Sequence, residues 1–186
     1  MRKSSILQIV SGALILALVL CMAVMPAFAE QHTYDAKEVI DPSRLCTLTV
    51  DCQGVEGTEV KLYWIASVRS DFIYVPTPEF SRYSLNLNSV ASAEEWDGIR
   101  ETIASYIVAD DIEQDYISQA DSEGKAQFTG LTPGLYYGEV AENDAGVFTP
   151  FLMLVPTLDD ETGLWQYDAE VAPWMNIASA PVSSLM

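Results

Sequence analysis

Residues 120–136 read ADSEGKAQFTGLTPGLY, and this stretch decides the fold class. It contains two turn signals, DSEG at 121–124 and TPG at 132–134, in which aspartate, glycine and proline favour a reversal of the chain. Each turn is followed by a run that is typical of a short strand, over 125–129 and over 135–141. Short strands separated by such turns indicate an antiparallel β-sheet.

The same alternation of strands and turns continues on both sides of this stretch. Upstream, residues 45–52 alternate apolar and polar side chains, and residues 60–68 are aromatic and β-branched, so we expect the two to pair as a hairpin. Downstream, the apolar run 151–155 between two prolines is typical of a central strand, and 165–171 alternates as a last strand. Further short strands are expected over 72–75 and 83–87. The spacing predicts an all-β fold, an antiparallel β-sandwich of about seven strands.

One segment, over 92–108, has the period of a helix. Ser92 and Glu95 fit a capping box, in which the serine caps the first turn and the glutamate reaches back. Apolar side chains then recur at helical spacing on one stripe, which indicates core packing against the sheet in preference to an aromatic binding face. The residues of this stripe are Trp96, Ile99, Ile103, Tyr106 and Ile107.

The N-terminus has the pattern of an export signal. A basic start, MRK, precedes the apolar run 6–25, and Ala27 and Ala29 give the small-x-small pattern of a cleavage site before Glu30. Residues 1–29 are therefore predicted to be a signal peptide. An uncleaved membrane anchor is the alternative, because the apolar run is long enough to span a bilayer.

The charge of the remaining chain restricts its partners. All 27 acidic residues but only 7 of the 9 basic residues lie after residue 29, which leaves 157 residues with a formal net charge of −20. Such a surface repels phosphate backbones, so nucleic-acid binding is disfavoured. It also opposes adhesion to anionic lipid, so no membrane contact is expected after cleavage of the signal peptide.

The part after the leader is long enough for one domain with a core of its own. We expect a flexible lead-in over 30–44, the sandwich over 45–173 and an irregular tail over 174–186. Cys46 and Cys52 lie about 20 Å apart on one extended strand, too far for a disulfide. They are therefore expected to be small buried apolar residues.

No catalytic or cofactor site is predicted. His32 is the one histidine of the chain and lies in the lead-in. A single histidine excludes histidine-based metal clusters, and a Ser-His-Asp triad would have to use this residue, which lies outside the predicted domain. The acidic turns at 121–123 and 159–161 offer oxygen ligands for calcium, although a solvated turn is the simpler interpretation.

Tryptophans offer a second binding hypothesis, a platform on which a sugar ring could stack. Trp64 and Trp165 are in phase with apolar strand residues, which favours the core, whereas Trp174 lies outside the alternation and is expected to be exposed. Trp96 belongs to the helix stripe.

The second half of the chain resembles the SpaA-type pilin and collagen-adhesin B-type (Cna-B) domains of Gram-positive surface proteins. The match spans about 45–173 and has four parts: the strand LYWIASV at 62–68, the stretch 120–136, the strand TPFLMLVP at 149–156, and the strand WQYDAEV at 165–171. The resemblance implies an immunoglobulin-like sandwich of the Cna-B type with the helix inserted near 92–108. The residues that carry it are Asp121, Gly124, Phe128, Leu131, Gly134, Tyr136, Pro150, Phe151, Pro156, Trp165 and Tyr167.

The chain also departs from this family. Where a pilin subunit has a Pro-Lys whose lysine sortase joins to the next subunit, this sequence has Pro173 and Trp174, and no L-P-x-T-G sorting signal follows. The lysine of the family's internal isopeptide bond is replaced by Asp51 and Cys52, and its acidic partner by Val140, so no isopeptide bond is expected.

Together these observations predict a secreted or cell-surface structural module, similar to a pilin subunit or an adhesin domain, without catalytic activity. The implied partners are other cell-surface or pilus proteins and host or glycan ligands. Wall attachment is expected only if the full-length gene carries a sorting signal. The alternative is a secreted carbohydrate- or calcium-binding β-sandwich.

Overall fold

A computed structural model describes residues 38–176. The predicted leader with Ala27, Ala29 and Glu30, and also His32 and the end of the tail, lie outside the described residues. The strands are β1 Cys46–Asp51, β2 Glu59–Val68, β3 Tyr74–Pro76, β4 Tyr116–Gln119, β5 Lys125–Leu131, β6 Gly134–Val140, β7 Val147–Phe148, β8 Phe151–Val155, β9 Thr157–Leu158, β10 Trp165–Gln166, β11 Asp168–Val171 and β12 Met175–Asn176. A short 3-10 helix, Phe80–Arg82, follows β3, and the α-helix α1 is Ala93–Ala109.

Two sheets make the sandwich. One has the order β5-β1-β11, and the other has the order β3-β2-β6-β8, with β4 beside β2. Leu48 and Val50 of β1 and Leu62 and Ile65 of β2 are all fully buried in one core, to which both sheets contribute. The predicted all-β sandwich with one inserted helix is confirmed. One pairing differs from a purely antiparallel arrangement, because β1 and β11 run parallel.

The predicted hairpin between β1 and β2 is wrong. β1 pairs with β5 and β11, whereas β2 pairs with β3, β4 and β6 in the other sheet. The turn at 52–58 therefore carries the chain from one sheet to the other. Alternation indicates a half-buried strand but does not identify the strand that lies beside it, so the sequence pattern alone does not determine the partner of β1.

The predicted central position of β8 is also wrong. Within the described residues β8 pairs only with β6, so it is an edge strand. Its apolar run has another cause: Phe151 and Val155 are buried on the core side, while α1 contacts β8 on the other side. The segment 83–87 forms no strand, and 165–171 is interrupted at Tyr167.

The helix begins as the sequence predicts. Ser92 Oγ accepts a hydrogen bond from the amide of Glu95 at 3.2 Å, and the Glu95 carboxylate accepts one from the amide of Ala91 at 2.8 Å. Ile103 and Ile107 are buried. They help to cover the outer face of the larger sheet, as the stripe predicts.

Tyrosines fill the outer face of the larger sheet. Tyr63 of β2 and Tyr137 of β6 are register partners with ring centroids 5.9 Å apart, and they are 4% and 0% exposed. Burial raises the pKa of both phenols, that of Tyr63 to about 12, and the carboxylate of Glu139 adds to both shifts. This sheet is therefore covered on both faces.

Candidate functional site

The motif residue Asp121 belongs to the turn that leads into β5. Its carboxylate accepts hydrogen bonds from the amides of Lys125 and Glu123, at 3.0 and 2.9 Å. These two bonds hold the pKa of the carboxyl below its usual value, the bond from Lys125 contributing most. The carboxylate thus closes the turn, which is the simpler of the two interpretations of this acidic segment.

Two motif glycines lie where the backbone of another element comes close. Gly124 has φ +76°, and a Cβ there would lie 2.3 Å from the Cα of Gly54. A Cβ on Gly134 would lie 2.3 Å from the carbonyl oxygen of Ala66, on the neighbouring strand β2. Only glycine fits at either position.

Three further motif residues belong to the core between the sheets. Phe128 and Leu131 are 5% and 0% exposed. Tyr136 is fully buried, and its hydroxyl donates a hydrogen bond to the carbonyl oxygen of Thr132 at 2.7 Å. Burial raises the pKa of this phenol. The satisfied hydroxyl lets a large ring occupy the core without an unpaired polar atom.

The motif residues Pro150, Phe151 and Pro156 define β8. The two prolines bracket the strand, and the Phe151 ring lies over Gly138 of β6. Proline lacks a backbone donor, so its positions fit the two ends of a strand at the edge of a sheet.

Trp165 and Tyr167 fasten the segment that precedes β1, which we call the N-terminal strap (38–44). The Trp165 indole N–H donates to the carbonyl oxygen of Glu38 at 2.8 Å, and the Asp41 amide donates to the Tyr167 hydroxyl at 2.8 Å. Ile40 is 1% exposed. One apolar side chain and two long-range hydrogen bonds therefore attach the described part of the predicted lead-in to the domain. Residues 30–37 lie outside the described part.

Aromatic contacts complete this attachment. The Arg44 guanidinium lies 4.0 Å from the centroid of the Tyr167 ring, and the Phe72 ring stacks on Trp165 with centroids 5.6 Å apart. Sequence reasoning missed the strap because its polar residues dominate the composition. Two features of the sequence could have indicated that the strap is attached. One is Ile40, an apolar residue among polar neighbours, and the other is the family motif at Trp165 and Tyr167.

An ion pair spans the smaller sheet. Lys125 Nζ on β5 lies 2.5 Å from a carboxylate oxygen of Glu170 on β11, so the pair crosses the central strand β1. The hydrogen bond that Lys125 donates to Glu170 is the main reason why the pKa of Lys125 is raised. The outer face of this sheet is polar, with Gln127 and Asp168 exposed.

Residues of other types occupy the positions where the family has the lysine and the acidic residue of its isopeptide bond. Cys46 and Cys52 are free and buried, and burial raises the pKa of both thiols, that of Cys46 to about 11. At Cys52, the carbonyl oxygen accepts a hydrogen bond from the Asn143 side-chain amide at 3.3 Å. Lys61 lies at the surface, 3.7 Å from Glu59. The burial of both cysteines agrees with their place on the apolar face of the strand.

The tryptophans do not form a single platform. Trp165 is 8% exposed, and Trp96 contacts Tyr74 edge to face. The Trp64 indole N–H donates to the carbonyl oxygen of Ala66 at 3.1 Å. Trp174 is 75% exposed, as expected from its place outside the alternation.

Residues 38–176 contain neither a candidate metal cluster nor a candidate membrane-spanning helix. No group of three or more His, Cys, Asp or Glu side chains in this range is arranged to hold a metal ion. No helix in the same range has the length and apolarity needed to cross a bilayer.

Comparison with known proteins gives similarity of structure without similarity of sequence. No protein-family model matches the chain, and no curated protein matches its sequence. Among solved structures, the T6 backbone pilin of Streptococcus pyogenes matches 74% of this chain at 14% identity and TM-score 0.49. The major pilins SpaD and SpaA of Corynebacterium diphtheriae match 72% and 69% of it, at 15% and 19% identity and TM-scores 0.45 and 0.40.

The matched pilins are much longer than the matching region. The chain covers 29% of the T6 pilin, 30% of SpaD and 30% of SpaA. These proteins belong to the class that the sequence motifs resemble. The sandwich itself follows from the strand pairing of this chain.

Proposed function

We propose that this chain is a non-catalytic, exported structural module of the cell surface, similar to a pilin subunit or an adhesin domain. One observation carries the proposal: the residues that bear the family resemblance build the scaffold. Asp121 closes a turn, Gly124 allows a close backbone contact, and Tyr136 fills the core. Tyr167 attaches the strap next to β11.

Export and surface exposure are part of the proposal. The leader over 1–29 would be removed before Glu30, and the acidic domain would be released outside the cell, or held at the wall if a sorting signal is encoded. Its partners would be other surface or pilus proteins and host or glycan ligands. A strongly acidic surface favours partners that carry basic groups and disfavours nucleic acid.

The proposal is tested in cells that produce the full chain. Medium, wall and membrane fractions are probed with an antibody after cross-linking of intact cells. We expect the protein outside the cytoplasm and cross-linked to other surface proteins. Retention in the cytoplasm, or an exported protein that is cross-linked to nothing, would overturn it. A Trp174→Lys variant, which restores the Pro-Lys of pilin subunits, serves as a comparison in a sortase-producing strain.

A second candidate, a carbohydrate-binding module, is favoured by one observation, the exposed indole of Trp174. Aromatic side chains with a free face are what a sugar ring stacks on. A glycan array probed with the full chain and with Trp174→Ala tests it: binding that the substitution abolishes supports this candidate. A calcium-dependent rise in the melting temperature, measured in the same preparation, would favour the calcium-binding alternative.

A further inference from the structure

Two tyrosines are stacked between the end of the 3-10 helix and the last turn of α1. The rings of Tyr83 and Tyr106 have centroids 4.0 Å apart and planes inclined by 9°. Tyr83 directly follows the 3-10 helix, and Tyr106 belongs to the last turn of α1. Both residues are half-buried, so each keeps part of its surface in contact with solvent. The stack therefore joins two elements and is accessible from outside.

The Tyr83 hydroxyl already has a proton acceptor. It donates a hydrogen bond to the carboxylate of Asp110, the residue that follows α1. The Arg82 guanidinium lies 3.7 Å from this carboxylate and 4.9 Å from the centroid of the Tyr83 ring, which helps to fix both groups. Because a phenol that loses an electron becomes a strong acid, a base at hydrogen-bonding distance allows the proton to leave with the electron. This contact favours one-electron oxidation of Tyr83.

We propose that Tyr83 and Tyr106 form an oxidative cross-linking site, at which a haem peroxidase and hydrogen peroxide join the two rings as dityrosine. Without the oxidant both phenols stay free. The bond would tie the segment after the 3-10 helix to α1, and Cys46 and Cys52, which are free, provide no such covalent tie. A covalent link between two distant positions restricts the unfolded chain and thereby stabilises the folded domain.

The reaction balances without any further reagent. Each phenol gives one electron to the oxidant and releases one proton, that of Tyr83 to Asp110 and that of Tyr106 to water. A carbon–carbon bond forms between two Cε atoms, one from each ring, and the hydrogen atom of each coupled carbon moves to its ring oxygen. Both phenols are thus restored. One hydrogen peroxide takes up the two electrons and two protons and becomes two water molecules, so the protein loses two hydrogen atoms.

The stacked geometry brings the reacting carbons within reach of each other. Nearly parallel rings at a centroid distance of 4.0 Å are in van der Waals contact, so a tilt of the rings lets two Cε atoms meet. Radicals that the fold holds side by side react as one molecule, and this proximity gives their coupling a large advantage over encounters between separate chains. Coupling within the chain is therefore the expected outcome.

A second tyrosine pair provides a control within the same chain. Tyr63 and Tyr137 have ring centroids 5.9 Å apart and planes inclined by 59°, and they are 4% and 0% exposed. An oxidant of the size of a protein cannot reach either ring. Contact between two tyrosines is thus not sufficient, and only the accessible stack is expected to react.

This inference goes beyond the proposed function. A surface protein with another role would carry the same stack, and the purified chain can be oxidised without export, partner or ligand. A negative result would therefore overturn the cross-linking site and leave the proposed function as it stands.

The experiment treats the dilute purified chain with a haem peroxidase and hydrogen peroxide. Trypsin cleaves after Arg82, Arg100 and Lys125, so the two tyrosines fall in different peptides. We expect a monomer that is lighter by two hydrogen atoms, with these two peptides joined through Tyr83 and Tyr106, as fragmentation in the mass spectrometer would show. Bonds at other tyrosines, bonds only between chains, or no dityrosine at all would overturn the proposal.

Four variants identify the residues that react and the proton acceptor. Tyr83→Phe and Tyr106→Phe each keep a ring in the stack but should abolish the bond within the chain, whereas Tyr63→Phe should leave the yield unchanged. Asp110→Asn should lower the initial rate several-fold, because the amide cannot take the proton. Equal rates for Asp110→Asn and the wild type would contradict the role of this carboxylate.

The matched control for the acceptor is Asp111→Asn, an exposed neighbour at φ +51°, a conformation that asparagine also adopts. It should react at the wild-type rate. The melting temperature of each untreated variant shows that the fold is kept, and that of the cross-linked wild type should rise by about 5–10 °C. A cross-linked protein that melts at the temperature of the untreated one would contradict the stabilising effect of the bond.

Discussion

The ring of Phe151 lies directly over the backbone of Gly138, its register partner on β6. A Cβ on Gly138 would be 2.1 Å from Cζ of the ring, which is closer than real carbon atoms approach. Phe151 is 8% exposed, so its ring covers the bare backbone of the glycine on the core side of the sheet. The glycine and the phenylalanine are therefore one packing unit.

Gly138→Ala is expected to destabilise the domain, because the added methyl group has to displace the Phe151 ring. Overpacking of this kind costs about 1–3 kcal/mol. Urea unfolding of the purified protein measures the loss. Gly98→Ala is the control: it lies in α1 with open space around it, and it should gain up to about 1 kcal/mol from helix propensity. A Gly138→Ala protein as stable as the wild type would contradict the packing described here.

Gly124→Ala is expected to cost more than Gly130→Ala. Both glycines have positive φ, +76° and +73°, and alanine in that conformation costs about 1–2 kcal/mol. Only at Gly124 does the added Cβ also meet another backbone, that of Gly54. The difference between the two variants in chemical unfolding isolates the close contact, and equal losses would show that the contact is unimportant.

Tyr167→Phe is expected to loosen the strap without unfolding the domain. The variant keeps the ring beneath Arg44 but removes the hydroxyl that accepts the Asp41 amide. Loss of one such bond costs about 0.5–1.5 kcal/mol. Hydrogen exchange at 38–44 should accelerate, whereas Tyr83→Phe, which removes a hydroxyl bonded to Asp110, should leave these amides unchanged. Unchanged exchange in Tyr167→Phe would mean that the hydroxyl does not hold the strap.

The domain is expected to lose stability at alkaline pH. Burial raises the pKa of Tyr63 from 10.0 to about 12, so the unfolded chain releases this proton at lower pH than the folded chain does. The stabilising contribution is thus complete below about pH 10 and is lost as the pH rises toward 12. Tryptophan fluorescence during urea unfolding, measured from neutral to alkaline pH, follows the loss. Tyr63→Phe should flatten this dependence, and an identical slope in the variant would contradict the assignment.

The intact mass of the exported protein is expected to equal that of the chain from Glu30, without loss of ammonia. An isopeptide bond forms with release of ammonia, and the positions where the family holds its lysine and acid contain Cys52 and Val140. Mass spectrometry under denaturing conditions measures both the site of cleavage and the loss of ammonia. A mass lower by one ammonia would reveal a bond elsewhere in the chain, and a mass that retains the leader would contradict the cleavage site.

The sequence predicts the elements whose signals are local. The helix, β1 and β6 follow from periodicity, from capping at Ser92 and from turn residues such as Gly124. Pairing is decided by contacts between distant segments, so the neighbours of β1 could not be read from its own alternation. A register shift between Trp64 and Ala66 in β2 also places Trp64 half outside the core, against its apparent phase.

The sequence predicts the attachment of the N-terminal strap only in part. The family motif includes Trp165 and Tyr167. Their partners Glu38 and Asp41 are far from them in the sequence and contribute backbone groups, which no side-chain pattern can predict. The short strand β4 was missed for a similar reason. Its four residues alternate between half-buried and exposed, too few for a pattern to stand out from a loop.

The parallel pairing of β1 with β11 sets the order in which the domain can mature. Asp41 and Tyr167, which fasten the strap, are 126 positions apart in the chain. If the chain is exported with its N-terminus first, as proposed, β1 reaches the outside long before β11 and waits there with one edge unpaired. Such an edge is a template for wrong pairing, and long-range closure is slow. Completion of the sandwich thus has to wait for β11, and a chain that stalls during translocation would remain open to capture by chaperones or proteases.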